Sequence, residues 1–537
     1  MATLAELQSE VFTGVGAGAS LIPEADIFLE SCSFAASDHT TVTIDDSDLQ
    51  NTLVPNIYVG CMAKIANADS ATFDGFYLIK SNTSNTITFN ETVGDADTDD
   101  NIDVTILAFG APTPAPTVDG ELTLLSDNWL GLVNSITPPS VDVELGQLNL
   151  AVAGSRNFQY QYKKGETVTG GAMDISINNG MWLYYALGKY TTSVTGYSMS
   201  GTLGTHTGFA RETDNGKLFR LISGKEFPPL GETNTSTRLE TADLERRSSG
   251  TGNLVYTFTE ANGDSLPSFS LDVAYEKSNI ADADYYVGSA GTNTDTSDTD
   301  TNHADIYSRI FTGCQVNSLT LSFEEGQELR GSLDFVSRRA FDSPINYAPK
   351  RKVRSASSMF NYGDNASGSA ATATDIEPYL FSGGAIKIFG NTVAKIKSGS
   401  VAINNNITPQ RFIGNYSRQV TSQHIPGQRT YEMSFTMLIT DTQLWNNLRA
   451  QGETTGSTAY SSGNAAPHTG RLELKFEKSA TDFIELKFED YIIQGVTVPF
   501  PEDKGPLEVE ATISARTLNT ATYSGNWVIL HSNTGSV

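Results

Sequence analysis

The chain has 537 residues, of which 39% are apolar, and carries a formal net charge of −27. That apolar share excludes a wholly disordered chain, and the length predicts several domains. The acidity disfavours nucleic-acid binding through a basic patch, because such a surface repels phosphate. Gly, Ser, Thr, Asn and Asp are abundant and helix formers sparse, which predicts strands joined by many turns.

Residues 1–24 read as an N-terminal arm, Gly-rich at GVGAGAS and without the apolar run of a signal peptide. No stretch of about 18 apolar residues occurs, so no membrane span is expected. A small β domain is expected over 25–110, where NIYVGCMAKIA, FDGFYLIKS and NTITFNE are strand-like runs separated by turn signals such as Asp74-Gly75. A Pro-rich linker, APTPAPT at its start, covers 111–119. From 120 to 345 period-two alternation returns in VDVELGQLNLAVAG and MDISI, and GMWLYYALGKY predicts one short helix ended by Gly188. The polar tract GTNTDTSDTDTNHAD (291–305) predicts a loop. A second linker with a basic start spans 346–375, and 376–537 is strand-rich again.

Residues able to carry chemistry are scattered. Cys32, Cys61 and Cys314 lie far apart without a C-x-x-C pair, as small buried thiols in a reducing compartment would. The 6 histidines form no HExxH, and there is no P-loop Lys-Ser/Thr and no G-x-S-x-G elbow. Asp298, Asp300, Asn302 and Asp305 alternate oxygen ligands as a calcium loop does, yet the Gly and Glu of an EF-hand are missing, which favours a solvated turn. No cofactor and no enzymatic activity are expected. Lys350, Arg351, Lys352 and Arg354 form a basic cluster and Arg338-Arg339 a basic pair; both are expected to meet acidic patches on a neighbouring subunit.

The informative feature is an internal repeat. LDVAYEKS (271–278) returns as LELKFEKS (472–479). LTLSFEEGQELRGSLDFVSRRAF (319–341) returns as VTVPFPEDKGPLEVEATISARTL (496–518), matching Phe323 with Phe500 and Arg338 with Arg516. AMDISI and YEMSFTM each lead to a Trp-bearing segment, around Trp182 and Trp445. The same order of elements occurs twice, which predicts a duplicated domain.

This order resembles the two-domain tail tube family of tailed bacteriophages and archaeal tailed viruses. The resemblance is carried by VNSITPPSVDVELGQLNLAVAGSRNFQYQYKKGETVTGGAMDISINNGMWLYYALG (133–188), by CQVNSLTLSFEEGQELRGSLDFVSRRA (314–340), and by their returns in the second copy. It implies an all-β fold with a short helix per unit: tandem tail-tube β-barrel or sandwich domains at 120–345 and 376–537. The β domain at 25–110 lies outside the resemblance and is expected to face outward as an accessory, because nothing in it resembles the repeated unit. It implies rings of three chains with pseudo-sixfold symmetry, six chains being the alternative, stacked into a tube that conducts viral DNA. The implied partners are copies of the chain itself, the tape measure, tail terminator and tail tip proteins, and DNA passing without specific binding. The implied location is the virion tail, after assembly in the host cytoplasm. An acidic lumen would repel DNA phosphates, and Asp272, Asp334, Glu473, Glu485, Glu508 and Glu510 are its candidate carboxylates. Two other classes stay open. A surface-layer or adhesin-like protein would need an export signal, and a tail-carried polysaccharide-degrading enzyme would need paired carboxylates in an aromatic-lined cleft.

Overall fold

A computed structural model of the chain describes residues 12–24, 26–35, 38–45, 53–66, 73–93, 99–112, 114–115, 123–124, 132–148, 157, 160–195, 219–221, 253–261, 266–277, 306–343, 377–388, 391–392, 395–411, 422–438, 472–497 and 505–525. The first strand is β1 (Phe12–Pro23), and β2 (Ile27–Ala35), β3 (Asp38–Ile44), β4 (Met62–Ala66), β5 (Gly75–Asn82), β6 (Thr86–Phe89) and β7 (Asp99–Ile106) follow. The last six pair in the order β2-β3-β6-β5-β4-β7, and β7 returns to β2, closing a barrel. Alternation explains the closure. Every second side chain points inward, as with Val42 and Ile44, Ala63 and Ile65, and Ile102, Val104 and Ile106, and together they fill a core of the barrel's own. The apolar run NIYVG does not extend β4. Residues 55–60 form turns, with Asn56 at φ 61°, and Ile57 and Tyr58 plug the barrel core. Apolar content alone does not separate a strand from a turn whose side chains are buried.

After a short pair, β8 (Pro114–Ala115) and β9 (Thr123–Leu124), comes the first unit: β10 (Leu132–Thr137), β11 (Val141–Leu148), β12 (Tyr160–Val168), β13 (Gly171–Ser176), the helix α1 (Met181–Leu187), β14 (Gly188–Thr195), β15 (Phe219–Leu221), β16 (Asn253–Glu260), β17 (Phe269–Lys277), β18 (Ile306–Glu324), β19 (Arg330–Val336) and β20 (Arg339–Ser343). The second unit holds β21 (Gly384–Ile388), β22 (Asn391–Thr392), β23 (Ile396–Asn404), β24 (Thr408–Arg411), β25 (Ser422–Ile425), β26 (Thr430–Leu438), β27 (Leu472–Ser479), β28 (Asp482–Phe488), β29 (Tyr491–Thr497), β30 (Glu508–Ala515) and β31 (Thr520–Gly525).

Two large sheets share one core, and each draws on both units. The first follows the path β10-β13-β19-β18-β23-β26-β30-β29; the second runs β14-β16-β31-β28-β27-β21-β22. Pairing of β18 with β23 and of β16 with β31 stitches the units together. The segment read as an arm is itself part of the first sheet, since β1 pairs with β17 and β17 with β18.

Within the first path, β10-β13-β19-β18 corresponds to β23-β26-β30-β29. This equivalence matches AMDISI with YEMSFTM and the hairpin 319–341 with 496–518. LDVAYEKS and LELKFEKS do not correspond: β17 lies beside β18, whereas β27 lies in the second sheet between β21 and β28. Both are amphipathic strands, and a period of two says which side chains face inward but not which sheet receives them.

The helix matches its sequence signal. An isolated seven-residue helix does not persist in water. Here all of Met181–Leu187 are buried, and α1 touches β18 of one sheet and β14 and β16 of the other. Burying Trp182, Leu183 and Leu187 stabilises the fold by about 1.5–3 kcal/mol each. Gly188, at φ 110°, ends the helix, its N–H bonded to the Tyr184 carbonyl.

Candidate functional site

One face of the first sheet packs into the core through Met173, Leu333, Leu319, Ile403, Met433 and Ile513. The opposite face carries cross-strand rows of mostly polar residues. One row is Asp174, Ser332, Thr320, Ala402, Glu432, Ser514 and Ile492; another is Asp334, Ser318, Asn404 and Thr430; a third is Glu324, Ser398, Thr436, Glu510 and Thr497. These side chains are exposed or half-buried. The carboxylates of Asp174, Glu324, Asp334, Glu432, Glu508 and Glu510 stand against the cations Arg330 and Lys397, so the face is acidic from one unit to the other. Ser135 donates to Asp174 at 3.0 Å and Ser318 to Asp334 at 3.0 Å. Lys397 pairs with Glu508, whose carboxylate holds the ammonium above its usual range.

The second sheet differs. Its charges alternate in sign and are paired: Lys387 with Glu473 across β21 and β27 at 2.6 Å, and, along single strands, Lys475 with Glu477 at 2.6 Å and Lys487 with Glu485 at 2.7 Å. Of the expected lumen carboxylates, Asp334, Glu508 and Glu510 therefore fall on the acidic face. Glu473 and Glu485 belong to the paired ladder, and Asp272 is buried on β17. Asp174, Glu324 and Glu432 complete the face. Their outward phase in MDISI, LTLSFEE and YEMSFTM is a sequence signal that becomes usable only once the sheet is known.

The path has two end strands, β10 and β29. Inside the chain, the strand equivalent to β29, which is β18, already pairs antiparallel with the strand equivalent to β10, which is β23. The ends of the sheet are thus the two halves of a junction that the chain makes once internally. Each unit also carries a two-stranded hairpin inserted at one place, β11–β12 between β10 and β13 and β24–β25 between β23 and β26.

A buried polar junction joins the barrel to the two-sheet body. Arg338, expected to face another chain, is only 5% exposed. Its guanidinium donates to the Phe109 carbonyl at 3.1 Å, to the Cys61 thiol sulfur at 3.2 Å and to the Gly60 carbonyl, and lies over the Phe109 ring at 5.3 Å. Arg339 donates to the Asn56 and Val59 carbonyls at 3.0 and 3.2 Å. Burial, with Arg338 beside it, pushes that guanidinium down to about 10, so it stays charged at neutral pH. Glu24 is the counterpart: its carboxylate accepts from the Gly110 and Gly313 amides, both at 2.7 Å, and from the Ser270 hydroxyl at 2.5 Å. Burial pushes the Glu24 carboxyl up against those hydrogen bonds. Gly313, at φ 64°, is required here, because a Cβ would meet the Arg338 Cβ at 2.6 Å. Cys32, Cys61 and Cys314 are all buried, and none of the three is in a disulfide.

His424 of β25 closes this junction. Its Nδ1 lies 3.2 Å from Gln315 Oε1 and its ring 5.3 Å from Phe109, edge to face. Burial, then the Arg338 charge, pushes its pKa down from 6.5 to about 4. Between those values the unfolded chain binds a proton and the folded one does not, so stability falls as pH drops through this window. Urea titrations should show the wild type losing about 2–3 kcal/mol more than His424→Gln between pH 7 and pH 4.5. Equal losses would remove His424 from the acid response.

The basic cluster Lys350, Arg351, Lys352 and Arg354 and the cation-loop candidates Asp298, Asp300, Asn302 and Asp305 lie outside the described residues. A family model described as phage tail tube protein matches residues 12–515. No curated protein matches the chain.

Proposed function

Because the chain belongs to the phage tail tube protein family, a family of structural components of the virion tail, we propose that three copies close into a ring and that stacked rings form the channel for viral DNA. The observation that carries this reading is the β18–β23 junction. A sheet whose two ends repeat the halves of its own internal junction can add another copy by the same pairing, β29 of one chain to β10 of the next. Pairing removes two strand edges that a lone chain would leave open to misassociation. Repetition of one rotation closes the ring. Three chains supply six equivalent sheet segments, which is the origin of the pseudo-sixfold symmetry.

The acidic face then lines the channel. Its carboxylates repel phosphate, and its short Ser and Thr side chains present no aromatic platform on which a base could stack. The barrel shares no strand with that face and sits on the outside of the ring. Catalysis has no part in this reading.

Negative-stain electron microscopy of the concentrated protein tests it. Rings or hollow tubes with three- or sixfold end views, and a ring mass of three chains, are the expected result. A ring of six chains would correct the stoichiometry, density for the barrel inside the channel would overturn its placement, and monomers at every concentration would sink the assembly reading.

A further inference from the structure

The barrel is a module set into the body. Its sheet closes on itself, and its entry and exit lie side by side, bridged at Glu24 and Pro112. Its core takes Ile22 and Ile310 from the body, with Phe341 packed beside them, and three residues of β15 pair with β2. The polar attachments gather at one end: Arg338, Arg339 and Glu24 all reach the barrel at residues 56–61 and 109–110.

His424 stands at that end in a state fixed by its neighbours. Gln315 Nε2 donates to the Leu266 carbonyl at 2.6 Å, which turns Gln315 Oε1 toward the imidazole, 3.2 Å from Nδ1. An amide oxygen only accepts, so the ring carries its proton on Nδ1. Nε2 is then bare and buried, with no hydrogen-bond partner among the described residues. Phe109 of the barrel touches both the His424 ring, edge to face, and the Arg338 guanidinium, each at 5.3 Å.

A proton taken up in acid goes to Nε2 and sets a second buried cation near Arg338. The other groups at the joint have defined signs. The Ser337 carbonyl favours the charged ring, but burial and the Arg338 charge outweigh it. Arg339 adds a further cation, and Asp26 of the barrel is engaged by the Ala108 amide at 2.9 Å. Glu24 works in the opposite sense. Burial raises its carboxyl, so the closed joint takes up that proton more readily than an open one, and acid favours closure there.

We propose that this joint is an acid-operated latch: protonation of His424 on Nε2 expels the β24–β25 hairpin from beside Phe109 and lets the folded barrel swing on the body. All of its parts belong to one chain, so the latch does not depend on ring formation. Neutral His424 closes it by fitting a buried site, and charged His424 opens it because that site offers a cation and no carboxylate to the new proton.

Hydrogen exchange of the full chain, read by mass spectrometry and corrected for the intrinsic effect of pH on exchange, tests this. Between pH 7 and pH 4.5, residues 106–112 and 422–425 of the wild type should lose protection at least about tenfold. A shift from 6.5 to about 4 permits about fiftyfold at pH 4.5, from which Glu24 subtracts. Strands β3 and β6, inside the barrel, should keep their protection. His424→Gln keeps a donor for Gln315 Oε1 but cannot take the proton, and its loss should stay below about twofold. Gln315→Glu sets a carboxylate opposite the imidazole and should suppress opening by a second route. Equal loss in the wild type and either variant would overturn the proposal, as would unchanged protection of the wild type at pH 4.5. Loss in β3 and β6 in step with the joint would overturn it too, because the barrel would then be unfolding rather than swinging.

Discussion

Arg338→Ala is expected to cost about 3–5 kcal/mol and to release the barrel from the body. The substitution leaves the Gly60 and Phe109 carbonyls and the Cys61 sulfur without their shared donor and opens a cavity beside Phe109. Each buried acceptor left unsatisfied costs about 1–3 kcal/mol, and the cavity adds to that. Arg338→Lys should recover only part of the loss, because a single ammonium cannot reach acceptors that a planar guanidinium spans.

Limited proteolysis supplies the readout. The variant should yield a stable barrel fragment near residues 26–112 under conditions in which the wild type stays intact. Arg516→Ala is the matched control. Arg516 holds the equivalent place after β30, but it is exposed and paired with Asp490 at 3.1 Å, so its loss should stay within about 1 kcal/mol. Equal sensitivity of the two variants would show that the junction does not hold the barrel.

The second large effect concerns the channel. Glu324→Lys, Glu432→Lys and Glu510→Lys together should leave folding intact, because all three side chains are exposed on the polar face. In the proposed tube the triple variant should turn an acidic, phosphate-repelling face into a binding one. Each lysine that meets a phosphate releases a counterion, so affinity for duplex DNA should fall steeply with salt. With about 6–10 phosphate contacts per bound segment, retention should drop by about 10³–10⁵ between 50 and 200 mM salt. Wild-type tubes should retain no DNA over the same range. If reversed and wild-type tubes hold DNA equally, the face does not line the channel.

Several features were legible in the residues. Strand alternation located most of the observed strands, the crowded apolar turn before Gly188 marked α1, and the matched hairpins at 319–341 and 496–518 indicated the duplication that the sheet path displays. Other features were not. Asp272 and Asp334 both look like outward carboxylates on alternating strands, yet one is buried on β17 and the other exposed on β19. Glu24 and Arg338 lie more than 300 residues apart in sequence and meet the barrel loops at one junction, which no local pattern announces.

By itself, the sequence determined the local periodicities, the helix and its stop, the repeat, and the acidity of the whole. The periodicities and the helix depend on backbone preferences and on residues within a few positions of one another, while the repeat and the acidity are properties of the residues themselves and need no contact between them. Only the tertiary structure decided which sheet each strand joins, that the two units share one core, which carboxylates gather on one face, and why one Arg of a matched pair is buried and the other exposed. Those outcomes arise from long-range strand pairing. An alternating strand can satisfy its hydrogen bonds and its apolar face against any complementary edge, and the choice among edges is made by the packing of the whole chain.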